Sequence, residues 1–146
     1  MKVISHRGNI VGPSSFENEP SYVKEALNSG FDVEVDVRTH NGNLFLGHDE
    51  PQYEIDIDFL ENEGIWCHCK DLDSLNILLA TKAHYFFHSV DDVAITSRGI
   101  IWTYPNRKLL EGSVCVLPEN GFQGDISKCY GICTDFVEKY LKILKI

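Results

Sequence analysis

The chain has 146 residues, a length that predicts a single domain over 1–146. It is 43% hydrophobic and 24% charged, as is usual for a globular protein, and its formal net charge of −9 disfavours nucleic acid and anionic membranes as partners. We expect a cytoplasmic protein without stable membrane insertion, because no apolar run of about 18 residues and no signal peptide is found.

The first half of the chain predicts strands, a helix and a hairpin. In chain order these are a strand over 2–6, a Gly/Pro/Ser-rich loop over 8–15, a helix over about 17–28 and a strand over 31–37. A serine, Ser14 or Ser15, is expected to cap the helix. Asn41-Gly42 predicts a hairpin that returns His48 to the end of the second strand. The acidic stretch 51–63 indicates a surface excursion with one short helical turn.

The second half continues the alternation of strands and helices. It predicts, in order, a strand over 65–70, a helix over 72–80, a strand over 83–88, a short helix over 91–97, strands over 99–103 and 113–117, a weak strand over 122–126, a strand over 130–133 and a helix over 136–144. Seven or eight short strands that end in polar or aromatic groups are typical of a (β/α)8 barrel. Such barrels usually need about 200 residues or more, so we expect an α/β protein with a compact or reduced (β/α)8 TIM-type barrel and several outer helices shortened. A second copy of the chain, in a homo-oligomer, would cover any exposed barrel wall.

Two carboxylates occupy alternate positions of the second predicted strand. Glu34 and Asp36 therefore project to one face, between the apolar side chains of Val33, Val35 and Val37. Burial of two carboxylates is costly unless a positive group lies between them, and a divalent cation with oxygen ligands meets that need. The alternative is that the pair lines the solvated side of an edge strand.

The five cysteines are expected to be free thiols. Their odd number and the lack of a signal peptide favour a reducing compartment, where they would serve as small buried apolar residues. Cys67-His68-Cys69 does not predict a zinc site, because on a strand both cysteines face away from the histidine.

Four motifs follow one another in the first fifty residues. They are His6-Arg7-Gly8, Glu17-Asn18, Glu34-Val35-Asp36-Val37 and His48-Asp49. Their order and spacing resemble the glycerophosphodiester phosphodiesterases, a family similar in site design to the phosphatidylinositol-specific phospholipases C and the sphingomyelinase-D-like enzymes. The resemblance is specific over residues 1–50 and looser afterwards, and it implies a short, divergent member of this phospholipase-C-like superfamily of (β/α) barrels.

The resemblance implies a hydrolase that converts a glycerophosphodiester, a small-molecule phosphodiester, into a phosphomonoester such as glycerol phosphate and an alcohol. His6 and His48 would flank the phosphorus as general base and general acid. Arg7 and Lys70 would neutralise phosphate charge. Glu17 would orient Arg7 or contribute to the metal shell.

The third metal-binding carboxylate of the family is replaced in this chain by His68, while Lys70 two residues later matches the family's lysine. His68 as a nitrogen ligand would shift the metal preference towards Mn²⁺ or Zn²⁺. Alternatively, Glu119 would supply the missing oxygen, or His68 would be a hydrogen-bonded barrel residue. The expected cofactor is a divalent metal, Mg²⁺ or Ca²⁺, with Mn²⁺ as a further candidate.

Later strands suggest residues around the substrate. His88 would hydrogen-bond a substrate oxygen, and Trp102 and Tyr104 would form a wall for the alcohol, although barrel packing explains Trp102 equally well. Residues 131–135 resemble the closing Gly-Ile-x-Thr-Asp segment of the family, and Asp135 would orient Arg7 or Lys70 or cap the last helix.

Two other functions fit the same residues. One is a phosphodiesterase that acts on a phospholipid or sphingolipid headgroup, and the net charge of −9 argues against it. The other is a barrel that binds a metal or a phosphate compound without turnover, which the small size and the lost carboxylate favour.

Overall fold

The computed structural model describes residues 1–146 as an α/β protein. The strands are β1 (Lys2–His6), β2 (Asp32–His40), β3 (Asn43–Leu46), β4 (Tyr53–Glu54), β5 (Ile65–Cys69), β6 (His84–Phe87), β7 (Val93–Ile95), β8 (Ile101–Thr103), β9 (Val114–Val116) and β10 (Gly131–Thr134). The helices are α1 (Pro20–Asn28), α2 (Ile57–Leu60), α3 (Leu72–Leu78) and α4 (Val137–Leu144), and a 3₁₀ turn covers Pro118–Asn120. None of these helices has the length and apolar character needed to cross a membrane.

A curled mixed sheet forms a half-barrel. Its parallel strands follow the order β6-β5-β2-β1-β10-β9-β8. The strands β3 and β4 extend from the second half of β2 as antiparallel neighbours, and β7 pairs antiparallel with β8. The predicted α/β class is confirmed. Because the central strands are parallel, their carboxyl ends meet at one rim of the half-barrel.

Side-chain alternation creates a separate core on each face of the sheet. On the helix-covered face, Val33, Val35 and Val37 of β2 are buried with residues of α1, α2 and α3. On the opposite, inner face, Trp66 and Phe86 pack in a second core whose other buried members are Ile4, Ala94, Trp102, Val114, Val116 and Cys133. Glu34 and Asp36 lie between the valines of β2 and therefore belong to the inner face.

Helix α1 begins three residues later than the predicted helix. Asn18 has a φ of 65°, a left-handed conformation that does not continue a right-handed helix, and Pro20 then occupies the first helical turn. The predicted serine cap is wrong, since Glu19 is the N-cap residue and no side chain caps this helix.

Two other local predictions are wrong. The predicted helix over 91–97 is instead the strand β7, whose β-branched Val93 and Ile95 pair with Thr103 and Ile101 of β8. The weak strand expected over 122–126 does not form; Phe122 and Ile126 pack instead onto a small cluster that contains Ile132.

Candidate active site

Glu34, Asp36 and His68 form a buried group that could hold a metal ion. The register places Asp36 of β2 beside His68 of β5, and the alternation of both strands turns these side chains to the inner face. His68 Nδ1 lies 3.5 Å from Glu34 Oε1 and 3.5 Å from Asp36 Oδ1. One atom from each residue can be chosen so that all three lie within 4.8 Å of one another.

The donor set suits a cation because two of its buried oxygens lack a hydrogen-bond donor. Glu34 Oε2 and Asp36 Oδ1 have no hydrogen-bond partner in the protein, although both side chains are almost fully buried. Buried polar atoms are rarely left unpaired, and a bound cation would satisfy both oxygens.

The second carboxylate oxygen of Asp36, Oδ2, contacts side chains at the rim. Asp36 Oδ2 accepts a hydrogen bond from Asn18 Nδ2 at 2.9 Å and lies 2.8 Å from Arg7 Nε, while the Asp36 backbone N–H donates to Asn18 Oδ1. Lys70 Nζ lies 3.9 Å from Asp36 Oδ1. Burial alone would raise the pKa of Asp36, but Arg7, then His68, Asn18 and Lys70, outweigh it and lower the pKa.

His6 lies at the end of β1 between two carboxylates. Its Nδ1 is hydrogen-bonded to Asp135 Oδ1 at 2.7 Å, and its Nε2 lies 3.8 Å from Glu34 Oε2. Burial opposes the imidazolium charge, yet the hydrogen bond to Asp135 and the field of Glu34 together raise the pKa of His6 above its ordinary value. Asn9 also donates to Asp135, at 2.8 Å, so this carboxylate is held in place from two sides.

The loop after β3 carries His48 to the same rim. Arg38 of β2 donates to the backbone carbonyls of Gly47 and His48 and so anchors the loop. Gly47 permits a tight turn, because a Cβ atom there would lie 1.9 Å from the carbonyl oxygen of Glu50. His48 Nδ1 pairs with Asp49 at 2.7 Å, and 44% of the His48 side chain is exposed.

Both predicted catalytic histidines line one cleft of about 600 Å³ at the rim. Its basic and imidazole lining groups are His6, Arg7, His48, His68, Lys70, His88 and Arg107. Only two acidic residues, Glu34 and Asp91, line it. Cationic and imidazole groups therefore outnumber carboxylates in the lining, with Arg7 paired to Asp36 and Arg107 paired to Asp92.

Aromatic residues form one wall of this cleft. The hydroxyl of Tyr104 lies 3.2 Å from His68 Nε2, and its ring stacks on His88. Burial raises the pKa of Tyr104, so this phenol stays neutral. Trp102 also borders the cleft, but it is only 2% exposed and packs against Trp66 and Phe86 in the inner core.

The structure separates two predicted residues from the metal group. Glu17 accepts hydrogen bonds from Arg7 Nη1 at 3.1 Å and Asn9 Nδ2 at 2.9 Å, which places it as a partner of the arginine. Glu119, considered as the missing oxygen ligand, is not part of the group. It accepts from the Thr134 hydroxyl and the Asp135 backbone N–H through the same oxygen instead.

Sequence reasoning assigned Asp135 to the wrong partners and missed Asn9. Asp135 pairs with His6, and α4 has no side-chain cap, so the predicted roles as partner of Arg7 or Lys70 or as helix cap are wrong. The parallel register sets Ser5 beside Thr134 and so makes Asp135 the neighbour of His6. In the sequence, this pairing is indicated only by the polar residues at the end of the last strand.

Comparison of the chain with family models, with curated proteins and with solved structures finds no match. The fold and the site define the class of protein, an α/β half-barrel whose rim carries an acidic and histidine group that could hold a metal ion.

Proposed function

We propose that this chain is a metal-dependent phosphodiesterase that hydrolyses a glycerophosphodiester, and that its half-barrel is a reduced (β/α)8 barrel of the glycerophosphodiester phosphodiesterase family. The observation that carries the proposal is the shared cleft. His6 and His48 line it together with Glu34 and His68 of the metal group. This arrangement would place acid–base groups and a cation site on one surface.

The proposed chemistry divides between the two histidines. One imidazole takes the proton from the attacking water molecule as a new P–O bond forms. The other imidazole gives a proton to the leaving alcohol as the old P–O bond breaks. Arg7 and Lys70 balance the charge of the non-bridging oxygens. A divalent cation held by the metal group would add charge stabilisation of the phosphate.

Non-catalytic binding of a phosphate compound is the second candidate. The exposure of His48 favours it, because a side chain that is 44% exposed and paired with an exposed Asp49 is less firmly positioned than His6.

Hydrolysis assays test the proposal. We expect turnover of bis(p-nitrophenyl) phosphate and glycerophosphocholine with added Mg²⁺, Ca²⁺ or Mn²⁺, and loss of turnover in EDTA. His6→Ala and His48→Ala should each reduce the rate by about 100-fold or more. His40→Ala is the matched control, because His40 is exposed at the end of β2 and does not line the cleft.

Three outcomes would contradict the proposal in different ways. Binding of a metal and of phosphate without turnover would support the second candidate, a protein that binds a phosphate compound without catalysis. Hydrolysis of phosphatidylcholine or sphingomyelin micelles, but not of glycerophosphocholine, would identify a lipid headgroup enzyme. Turnover that survives both histidine substitutions would remove the acid–base mechanism.

A further inference from the structure

His68 is held in one orientation by two aromatic residues. Its ring stacks on Phe86, with centroids 4.8 Å apart and planes inclined by 14°. On one side, Nε2 lies 3.2 Å from the hydroxyl oxygen of Tyr104. On the other side, Nδ1 faces Glu34 and Asp36 at 3.5 Å from each. The two ring nitrogens therefore face different groups, a phenol hydroxyl at Nε2 and two carboxylates at Nδ1.

The contact with Tyr104 bears on which nitrogen of His68 can bind a metal. A neutral imidazole carries one N–H, and the other nitrogen presents a lone pair. When Nε2–H donates to the Tyr104 oxygen, the lone pair of Nδ1 points between the two carboxylates. Histidines that bind metals in proteins are commonly held in this way, with the second ring nitrogen donating to an outer partner.

The spacing of the donor atoms also fits a compact ion. Zinc-type bond lengths in a tetrahedral arrangement place neighbouring ligand atoms about 3.4 Å apart. The two distances from His68 Nδ1 to carboxylate oxygens are both 3.5 Å. The buried oxygens Glu34 Oε2 and Asp36 Oδ1, without hydrogen-bond partners, independently indicate a site that a cation would complete.

We propose that Tyr104 holds His68 as an Nδ1 ligand, so that the site selects first-row transition ions such as Mn²⁺ and Zn²⁺ over Mg²⁺ and Ca²⁺. Imidazole nitrogen binds transition ions well, whereas Mg²⁺ and Ca²⁺ prefer oxygen. The inference rests on the proposed function only in taking a divalent cation to occupy this group. Tyr104 is a positioning residue in this arrangement, because it acts through His68.

Metal binding to the purified full chain tests the inference without any assay of activity. Titration calorimetry on metal-free protein would give dissociation constants for Mn²⁺, Zn²⁺, Mg²⁺ and Ca²⁺. All-oxygen sites also bind transition ions more tightly than Mg²⁺, so the informative quantity is the change in preference. His68→Glu should lower the Mn²⁺/Mg²⁺ and Zn²⁺/Mg²⁺ affinity ratios at least about tenfold, because it replaces the nitrogen with oxygen.

Tyr104→Phe tests the positioning role. We expect it to weaken Mn²⁺ and Zn²⁺ binding by about 10- to 100-fold, as loss of an outer hydrogen bond to a ligating histidine does. In the Mn²⁺-loaded protein, pulsed electron paramagnetic resonance should detect a coupled ¹⁴N nucleus that disappears in His68→Glu. His40→Gln, an exposed substitution outside the cleft, should leave the affinities and this signal unchanged.

Equal affinity ratios in wild type and His68→Glu, or Mn²⁺ bound without a ¹⁴N signal, would overturn the inference. If His68→Glu does not fold by circular dichroism, His68→Gln provides the same comparison. Phosphodiester turnover that proceeds with Mg²⁺ and is insensitive to His68→Gln would leave the proposed function intact and reject this inference. Selective binding of transition ions without turnover would support this inference and reject the proposed function.

Discussion

Carboxyl groups around the cleft have different partners, and those partners define their roles. Asp36 lies against Arg7 and accepts from Asn18, whereas Asp135 is hydrogen-bonded to His6 and Asn9. Asp135 orients the imidazole and stabilises its protonated form, because a nearby negative charge favours the cation. It therefore acts through His6 on the proposed reaction.

Asp135→Asn should reduce phosphodiester turnover by about 100-fold, because an amide neither fixes the His6 tautomer nor stabilises its charge. Since Asp135 helps to raise the pKa of His6, its removal should move the limb of the pH–rate profile that reports His6 to lower pH. Kinetics across the pH range would measure both effects.

Asp125→Asn is the matched control for this substitution, because Asp125 is an exposed aspartate that does not line the cleft. A pH–rate profile of Asp135→Asn with both limbs unmoved would show that Asp135 has no influence on His6 during the reaction.

At the level of elements, Asp71 connects the sheet to helix α3. It is the N-cap residue of α3 and accepts from the Ser74 backbone N–H at 2.7 Å. It also accepts from the backbone N–H of Thr39 at 2.9 Å and from the Thr39 hydroxyl at 3.1 Å. One carboxylate thus joins the end of β2 to the helix that follows Lys70.

Asp71→Ala should lower the free energy of unfolding at pH 7 by about 1–2 kcal/mol, the usual effect of losing an N-cap. Burial opposes the charge, but donors from Thr39 and Ser74 lower the pKa of Asp71. The stabilisation that the ionised Asp71 gives the folded protein is therefore complete above the ordinary aspartate pKa of about 3.9. It is lost as the pH falls through the lower pKa that Asp71 has in the folded protein.

Urea unfolding of the wild type and of Asp71→Ala, at pH 7 and near pH 3, would measure the difference in their free energy of unfolding. The exposed Asp73, in the first turn of the same helix, provides the control, and Asp73→Ala should cost no more than a few tenths of a kcal/mol. Equal losses for the two substitutions would refute the capping role of Asp71.

At the level of the whole molecule, His84 links the two edges of the half-barrel. It starts β6, packs against Trp66 with ring centroids 4.0 Å apart, and is hydrogen-bonded through Nε2 to the Thr96 hydroxyl at 2.8 Å. The Ser97 backbone N–H also donates to the Tyr85 carbonyl, so the segment after β7 contacts β6.

Burial, followed by the charge of Arg98, lowers the pKa of His84 to about 4. The protein should lose stability as the pH falls from about 6.5 to about 4. In this window the unfolded chain, in which histidine has a pKa of about 6.5, binds a proton that folded His84 does not bind. His84→Gln should reduce the slope of unfolding free energy against pH in this window, which chemical denaturation at several pH values would measure. The exposed-site variant His40→Gln should keep the wild-type slope, and an unchanged slope in His84→Gln would exclude His84 as the source.

The residues that share a face of the sheet could be predicted from the sequence. Alternation along one strand is a local property, so the separation of Glu34 and Asp36 from the neighbouring valines follows from the order of residues alone. The hairpin at Asn41-Gly42 is local as well, because both residues adopt the positive φ values that this turn needs. The placement of β7 was not predicted, since a three-residue strand becomes stable only when a partner edge is present.

The sequence by itself determined the strand alternation, the hairpin and the polar residues that end the central strands, because these depend on neighbouring residues. Only the tertiary structure decided that Asp135 partners His6, that Glu119 stays outside the metal group, and that Tyr104 contacts His68. The His6–Asp135 and Tyr104–His68 contacts join residues 129 and 36 positions apart, and Glu119 contacts Thr134 and Asp135, 15 and 16 positions away. All of them depend on how far the sheet curls and on the register between its strands. Curl and register arise from the packing of both cores, which no single segment of the chain specifies.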